Sequence, residues 1–141
     1  MGVSISKGNI KGLAHIGIFV KDLDVSVDFY KRLGFTLDKI VEIHIRLAFL
    51  SAGTCLIELV EQKDMEARPA GVVDHFAVEV DDIEAAIVRA KDNGIEIDAS
   101  TVMFLDILGG VKNVFFQGPD GEKIEFFEYK DKDLGKDKDL G

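Results

Sequence analysis

Apolar positions follow two rhythms along this chain, and their order repeats. Residues 13–20 alternate apolar and small side chains with β-branched content, which predicts a strand. Asp22 follows as an N-cap. Leu23, Val27, Tyr30 and Leu33 then recur at helical spacing, and Gly34 closes the helix in a left-handed cap. A second copy begins at residue 72. Asp82 caps Ile83, Ala86, Ile87 and Ala90, and Gly94 closes. After each helix the period returns to two. Strands are expected near 35–41, 44–51 and 54–60, then near 95–99, 112–117 and 122–129. Asp120-Gly121 is a hairpin signal between the last two.

The copies align residue by residue. His15 and His75 are 60 apart (75 − 15), and Asp22 with Asp82, Gly34 with Gly94, and Phe35 with Ile95 keep that offset. Later, Ile57-Glu58 resembles Ile124-Glu125 at an offset of 67 (125 − 58), so the second half carries a longer loop. A period of this length reads as two copies of one supersecondary unit, not as a solenoid repeat. The expected organisation is a single domain over 1–129. Its modules lie at about 12–61 and 72–129, joined by a linker carrying Pro69 and Gly71, and a polar tail follows at 130–141. The tail is a tandem Lys-Asp-Lys-Asp-Leu-Gly and is assigned no chemistry.

The duplicated polar residues sit in apolar strands. His15 is followed by Ile16 and Ile18, and Glu58 lies between Ile57 and Leu59. His75 precedes Phe76 and Val78, and Glu125 lies between Ile124 and Phe126. A carboxylate facing a core costs several kcal/mol unless it is paired or holds a metal. One such histidine alone reads as a hydrogen-bonded structural residue, and one such glutamate as solvent-facing. Their joint recurrence, one His on the first strand and one Glu on the last strand of each copy, points to a ligand set. Two imidazoles and two carboxylates suit a divalent transition ion with open positions, and suit calcium or magnesium less well. Such an ion can bind two neighbouring substrate oxygens and stabilise an enediolate or enolate, with a glutamate as proton shuttle. Proton transfer next to a carbonyl is the reaction class this implies.

Composition narrows the partners. The 141 residues carry a net charge of −9, which argues against nucleic acid and against an acidic membrane surface. No run approaches the roughly 18 apolar residues of a membrane helix. The start is no secretory signal, although Gly2 and Ser6 match the loose myristoylation pattern by chance. Cys55 is the one cysteine, so no internal disulfide forms. It sits in an apolar run where packing is its expected role, and a reducing, cytoplasmic setting is the expectation.

These same residues carry a resemblance. His15 with Val20-Lys-Asp22-Leu23 and Phe29-Tyr30-Lys-Arg-Leu33-Gly34-Phe35 is similar to the opening of the vicinal-oxygen-chelate superfamily. Pro119-Asp120-Gly121 with Ile124-Glu125-Phe126 is similar to its close. The superfamily includes glyoxalase I, methylmalonyl-CoA epimerase, extradiol dioxygenases and fosfomycin or bleomycin resistance proteins. The resemblance covers about 12–129. It implies an α+β fold of two tandem βαβββ modules forming a curved mixed sheet around a metal cleft, and a homodimer in many members, sometimes with the site built across subunits.

Glyoxalase I is the nearest in pattern. Its ligand positions match His15, Glu58, His75 and Glu125, which implies one divalent ion (nickel, cobalt or zinc), with Glu125 the leading base and Glu58 the second. The activity implied is that of a lactoylglutathione-lyase-like enzyme, a carbon–sulfur lyase or isomerase acting on a small hemithioacetal. A methylmalonyl-CoA epimerase-like enzyme acting on a thioester, and a small-molecule binding or resistance protein, are the alternatives. An extradiol dioxygenase would not need Glu58. Arg46-Leu-Ala-Phe49-Leu resembles the stretch before the second ligand, and Arg46 and Lys112 are the cations available for an anionic substrate. His44 has no counterpart in the second half and reads as rim. Glu61 and Glu128 follow the ligand glutamates by three residues, which turns them to the opposite sheet face.

Overall fold

The computed structural model describes residues 12–66, 71 and 73–131. Gly2, Ser6, Pro69 and nearly all of the tandem tail lie outside them. The first module runs β1 (Ile16–Val20), α1 (Leu23–Leu33), β2 (Thr36–Glu42), β3 (Arg46–Ala52) and β4 (Cys55–Glu61). The second runs β5 (Phe76–Glu79), α2 (Ile83–Asp92), a short 3-10 turn at Ala99–Thr101, β6 (Met103–Leu105), β7 (Val111–Gln117) and β8 (Lys123–Tyr129).

Each module builds its own four-stranded mixed sheet, in the orders β1-β4-β3-β2 and β5-β8-β7-β6. In each, the first and last strands pair in parallel while the others form antiparallel hairpins. This parallel pairing places the start of a module beside its end. The tandem βαβββ reading therefore stands, with two sheets in place of one.

Local chemistry explains the helices. The Asp22 carboxylate accepts from the backbone N–H groups of Asp24 and Val25, and Asp82 does the same for Ala85. Gly34 ends α1 at φ 123°, a conformation a side chain would oppose, and donates its N–H to Tyr30 and Lys31.

The apolar face of each helix packs on one sheet face. Val20, Leu23, Tyr30, Leu50, Ile57 and Leu59 are fully buried in the first module, and Ile83 and Ile124 in the second, all within one contiguous cluster. Among the described residues four hydrogen bonds cross between modules: Arg32 Nη1 donates to the Gly94 carbonyl at 3.4 Å, and three more reach the last hairpin. Lys21 N–H and the Ser26 hydroxyl donate to Asp120, and the Tyr30 hydroxyl donates to Glu122.

One expected strand does not form. Residues 95–98 lie in no element; Ile95 and Ile97 are buried as alternation predicts, but no ladder pairs them. Asp98 accepts from the Ser100 N–H and hydroxyl at 3.0 and 2.6 Å, which turns the chain into the 3-10 segment. The outer strand is instead β6, four residues beyond the expected end.

Candidate metal centre

Strand parity decides which side chains share a face. Glu58 lies opposite Gly17 on β1 and Phe49 on β3, and Glu125 lies opposite Ala77 on β5 and Phe115 on β7. His15 and His75 each stand two residues before Gly17 and Ala77, so they share the face of the glutamates. That face points away from the helices. His15 Nε2 lies 3.7 Å from Glu58 Oε1, and His75 Nε2 lies 3.1 Å from Glu125 Oε1. The small residues at 17 and 77 leave space beside both carboxylates; a Cβ at 17 would sit 3.8 Å from Glu58 Oε1.

The second pair is the more tightly framed. Glu125 is only 5% exposed. Its Oε2 accepts from the Asn113 amide at 2.7 Å. The His75 Nδ1 meets Asp74 Oδ2 at 2.8 Å, and Lys123 Nζ meets the same oxygen at 3.2 Å. The His75 bond first, then that of Lys123, holds the Asp74 carboxyl below the usual carboxylate range. The His75 ring stands edge-on to Phe115 at 5.1 Å, and Lys123 Nζ sits 4.6 Å from the centre of that ring. Asp74 and Asn113 were not singled out from the sequence. Asn113 was legible, because the turn at Gly118–Gly121 fixes the β7/β8 register and puts it diagonal to Glu125.

The four expected ligands form two pairs within this chain. Among the described residues, the only three His, Cys, Asp or Glu groups whose ligand atoms all lie within 4.8 Å are Asp82, Glu84 and Glu128. That trio is on the helix side and has structural work. Asp82 caps α2, Glu128 accepts from the Ile83 N–H at 2.8 Å, and Glu84 pairs with Lys112 at 3.1 Å. Its counterpart in the first module is Asp22, Asp24 and Glu61. There Glu61 accepts from the Leu23 N–H at 3.0 Å and Arg46 pairs with Asp24 at 3.1 Å.

Arg46 and Lys112 stand apart from the two His–Glu pairs. Both lie on the helix-facing side of their strands, engaged by first-turn acids that raise their pKa values above the ordinary range. Neither reaches the His–Glu faces. Glu61 and Glu128 lie on the helix side, as parity predicted. His44 sits in the β2–β3 turn beside Glu42 and Lys63, at the rim of a separate hollow of about 500 Å³.

A cavity of about 1160 Å³ is lined by residues of both modules, with His15, Cys55, Ala77, Glu125 and Tyr129 in its walls. Burial pushes the Cys55 thiol pKa up, which suits packing better than nucleophilic attack. The donor set fits a divalent ion. In the second pair, Nδ1 and Oε2 are taken by Asp74 and Asn113, which leaves Nε2 and Oε1 converging as free ligand atoms.

No helix among the described residues is long and apolar enough to cross a membrane. The chain is 34% identical over 125 residues to the uncharacterized protein YwbC of Bacillus subtilis strain 168, covering 84% of this chain and 98% of that one. It is 33% identical over 132 residues to a lactoylglutathione lyase of Neisseria meningitidis, covering 86% and 93%. The crystal structure of a glyoxalase family protein from Enterococcus faecalis superposes with a TM-score of 0.72 at 26% identity, covering 84% and 98%. The model of the glyoxalase/bleomycin resistance protein/dioxygenase superfamily matches residues 12–126. With its two sheets and twice-built His–Glu pair, the chain belongs to that superfamily.

Proposed function

We propose that this protein is a metal-dependent lyase or isomerase of the glyoxalase I type, moving a proton within a small hemithioacetal. The observation that carries the reading is the duplicated His–Glu pair, set on the open face of each sheet with ligand atoms converging. His15, Glu58, His75 and Glu125 would hold one divalent ion, with nickel, cobalt and zinc the best fits. Such an ion, when bound, supplies Lewis-acid polarisation of two neighbouring substrate oxygens.

The proton chemistry belongs to the carboxylates. Glu125, oriented by Asn113, takes the proton from the carbon next to the carbonyl and returns it to the adjacent carbon. Glu58 is the second candidate for this role. Similarity to a protein named lactoylglutathione lyase supports this reaction over the alternatives. The cation distribution also speaks against a thioester carried on a polyanionic nucleotide. With Arg46 and Lys112 turned to the helices, the strand cations on the His–Glu faces are Lys39 and Lys123.

We further propose that the site closes in a homodimer, each first-module pair facing the second-module pair of the other copy. The same faces expose Phe19 at 51%, Met103 at 55% and Phe115 at 38%, apolar surface that a partner copy would cover.

The test is to strip the protein of metal, reload it with nickel, cobalt or zinc, and measure bound metal and hemithioacetal isomerisation. About one ion per chain with metal-dependent turnover is expected. No uptake of any of these ions would sink the reading. Uptake without turnover would move it to the epimerase or binding alternatives.

A further inference from the structure

The two His–Glu pairs are not equally built. His75 follows Asp74, whose carboxylate lies 2.8 Å from Nδ1. Two carboxylates flank the ring and both only accept, but only the Asp74 contact has hydrogen-bond geometry, so Nδ1 carries the hydrogen in the neutral ring. The lone pair of Nε2 is then left on the atom that faces Glu125 at 3.1 Å. Asp74 is itself held by Lys123, which stands on β8 two residues before Glu125 and rests on the Phe115 ring. Phe115 in turn meets the His75 ring edge-on. The ring is thus fixed from two sides. At the offset of 60, the residue equivalent to Asp74 is Ala14, which offers no acceptor to His15.

We infer that Asp74 is a positioning residue for His75, selecting the tautomer and ring orientation that present Nε2, and that Lys123 keeps Asp74 in place. The second-module half is in this way pre-organised, while the first-module half adjusts to it. The role in metal binding rests on the metal-centre reading above; the choice of tautomer does not.

The variants are Asp74→Ala, which removes the acceptor, and Asp74→Asn, which keeps an acceptor oxygen without the charge. Nitrogen-15 spectra of the imidazoles in the metal-free protein report the tautomer directly. Wild type and Asp74→Asn should show His75 protonated on Nδ1, and Asp74→Ala a mixture of both tautomers, with His15 unchanged in all three. Competition with a chromophoric chelator then gives zinc affinity. Asp74→Ala should bind roughly tenfold more weakly, the low end for loss of such an outer partner, with Asp74→Asn in between. A His75 ring with the same tautomer in Asp74→Ala as in wild type would overturn the inference. So would zinc affinity within twofold of wild type in a protein that binds zinc. Failure of the wild type to bind zinc would instead count against the metal-centre reading, and the metal-free spectra would still decide the role of Asp74.

Discussion

The Tyr30 hydroxyl donates to the Glu122 carboxylate at 2.9 Å across 92 residues of chain. This bond ties the first-module helix to the last hairpin of the second module. Tyr30 is fully buried, and Glu122 also accepts from the Asp120 N–H. Tyr30→Phe should therefore cost about 1–3 kcal/mol, toward the low end because Glu122 keeps one donor. Burial first, then the Glu122 charge, raises the Tyr30 pKa well above the ordinary 10.0. The folded value lies above the unfolded one. The contribution is thus full below about pH 10 and is lost as pH rises through the folded value. Urea midpoints of wild type and Tyr30→Phe, measured from neutral to strongly alkaline pH, should converge at the alkaline end.

Gly118 should reproduce this loss by steric means. A Cβ there would overlap the Glu122 carboxyl group, so the side chain would have to swing away from Tyr30. Gly118→Ala is expected to destabilise by a similar amount. The double variant with Tyr30→Phe should fall short of the sum, since both changes break one bond. Additive losses in denaturant unfolding would mean that Glu122 relaxes without leaving Tyr30.

Glu61 and Glu128 anchor the two helices in the same way, each accepting the first helical N–H. The Leu23 N–H is buried, so Glu61→Ala should cost about 1–3 kcal/mol for the orphaned donor. Arg46→Met and Lys112→Met remove the cations beside these acids and should leave metal uptake and turnover unchanged. A large loss of either in a folded variant would return Arg46 or Lys112 to the substrate.

Which parts were legible follows from period and register. The offset of 60 marked His15 and His75, and strand alternation marked the faces of Glu58 and Glu125. The same alternation places Arg46 with Ala48 and Leu50, two fully buried residues. Its helix-facing side was thus readable, and the attraction of a cation for an anionic substrate obscured it. Residues 95–99 misled because Ile95 and Ile97 alternate like a strand, while the Asp98–Ser100 turn that prevents pairing leaves no periodic trace. Asp74 was hidden by adjacency: strand neighbours ordinarily point to opposite faces, and only the irregular entry to β5 lets it reach His75. The separation of the two pairs could not be read at all, because it depends on how whole modules pack.

That separation gives the sharpest prediction. If the site forms between copies, a dimer of one His15→Ala chain and one His75→Ala chain contains one site with both histidines lost and one with all four ligands intact. Each variant alone has every site damaged. Mixing the two inactive proteins under conditions that exchange subunits should therefore restore up to about half the wild-type turnover per mixed dimer, with about one ion bound. A site closed within one chain predicts no restoration, since every chain in the mixture lacks a ligand. Turnover and bound metal against mixing ratio, with mass determined by light scattering, separate the two arrangements. A monomer in solution, or a mixture that stays inactive despite proven exchange, would reject the shared site while leaving the four ligands in question only as to which pairs meet.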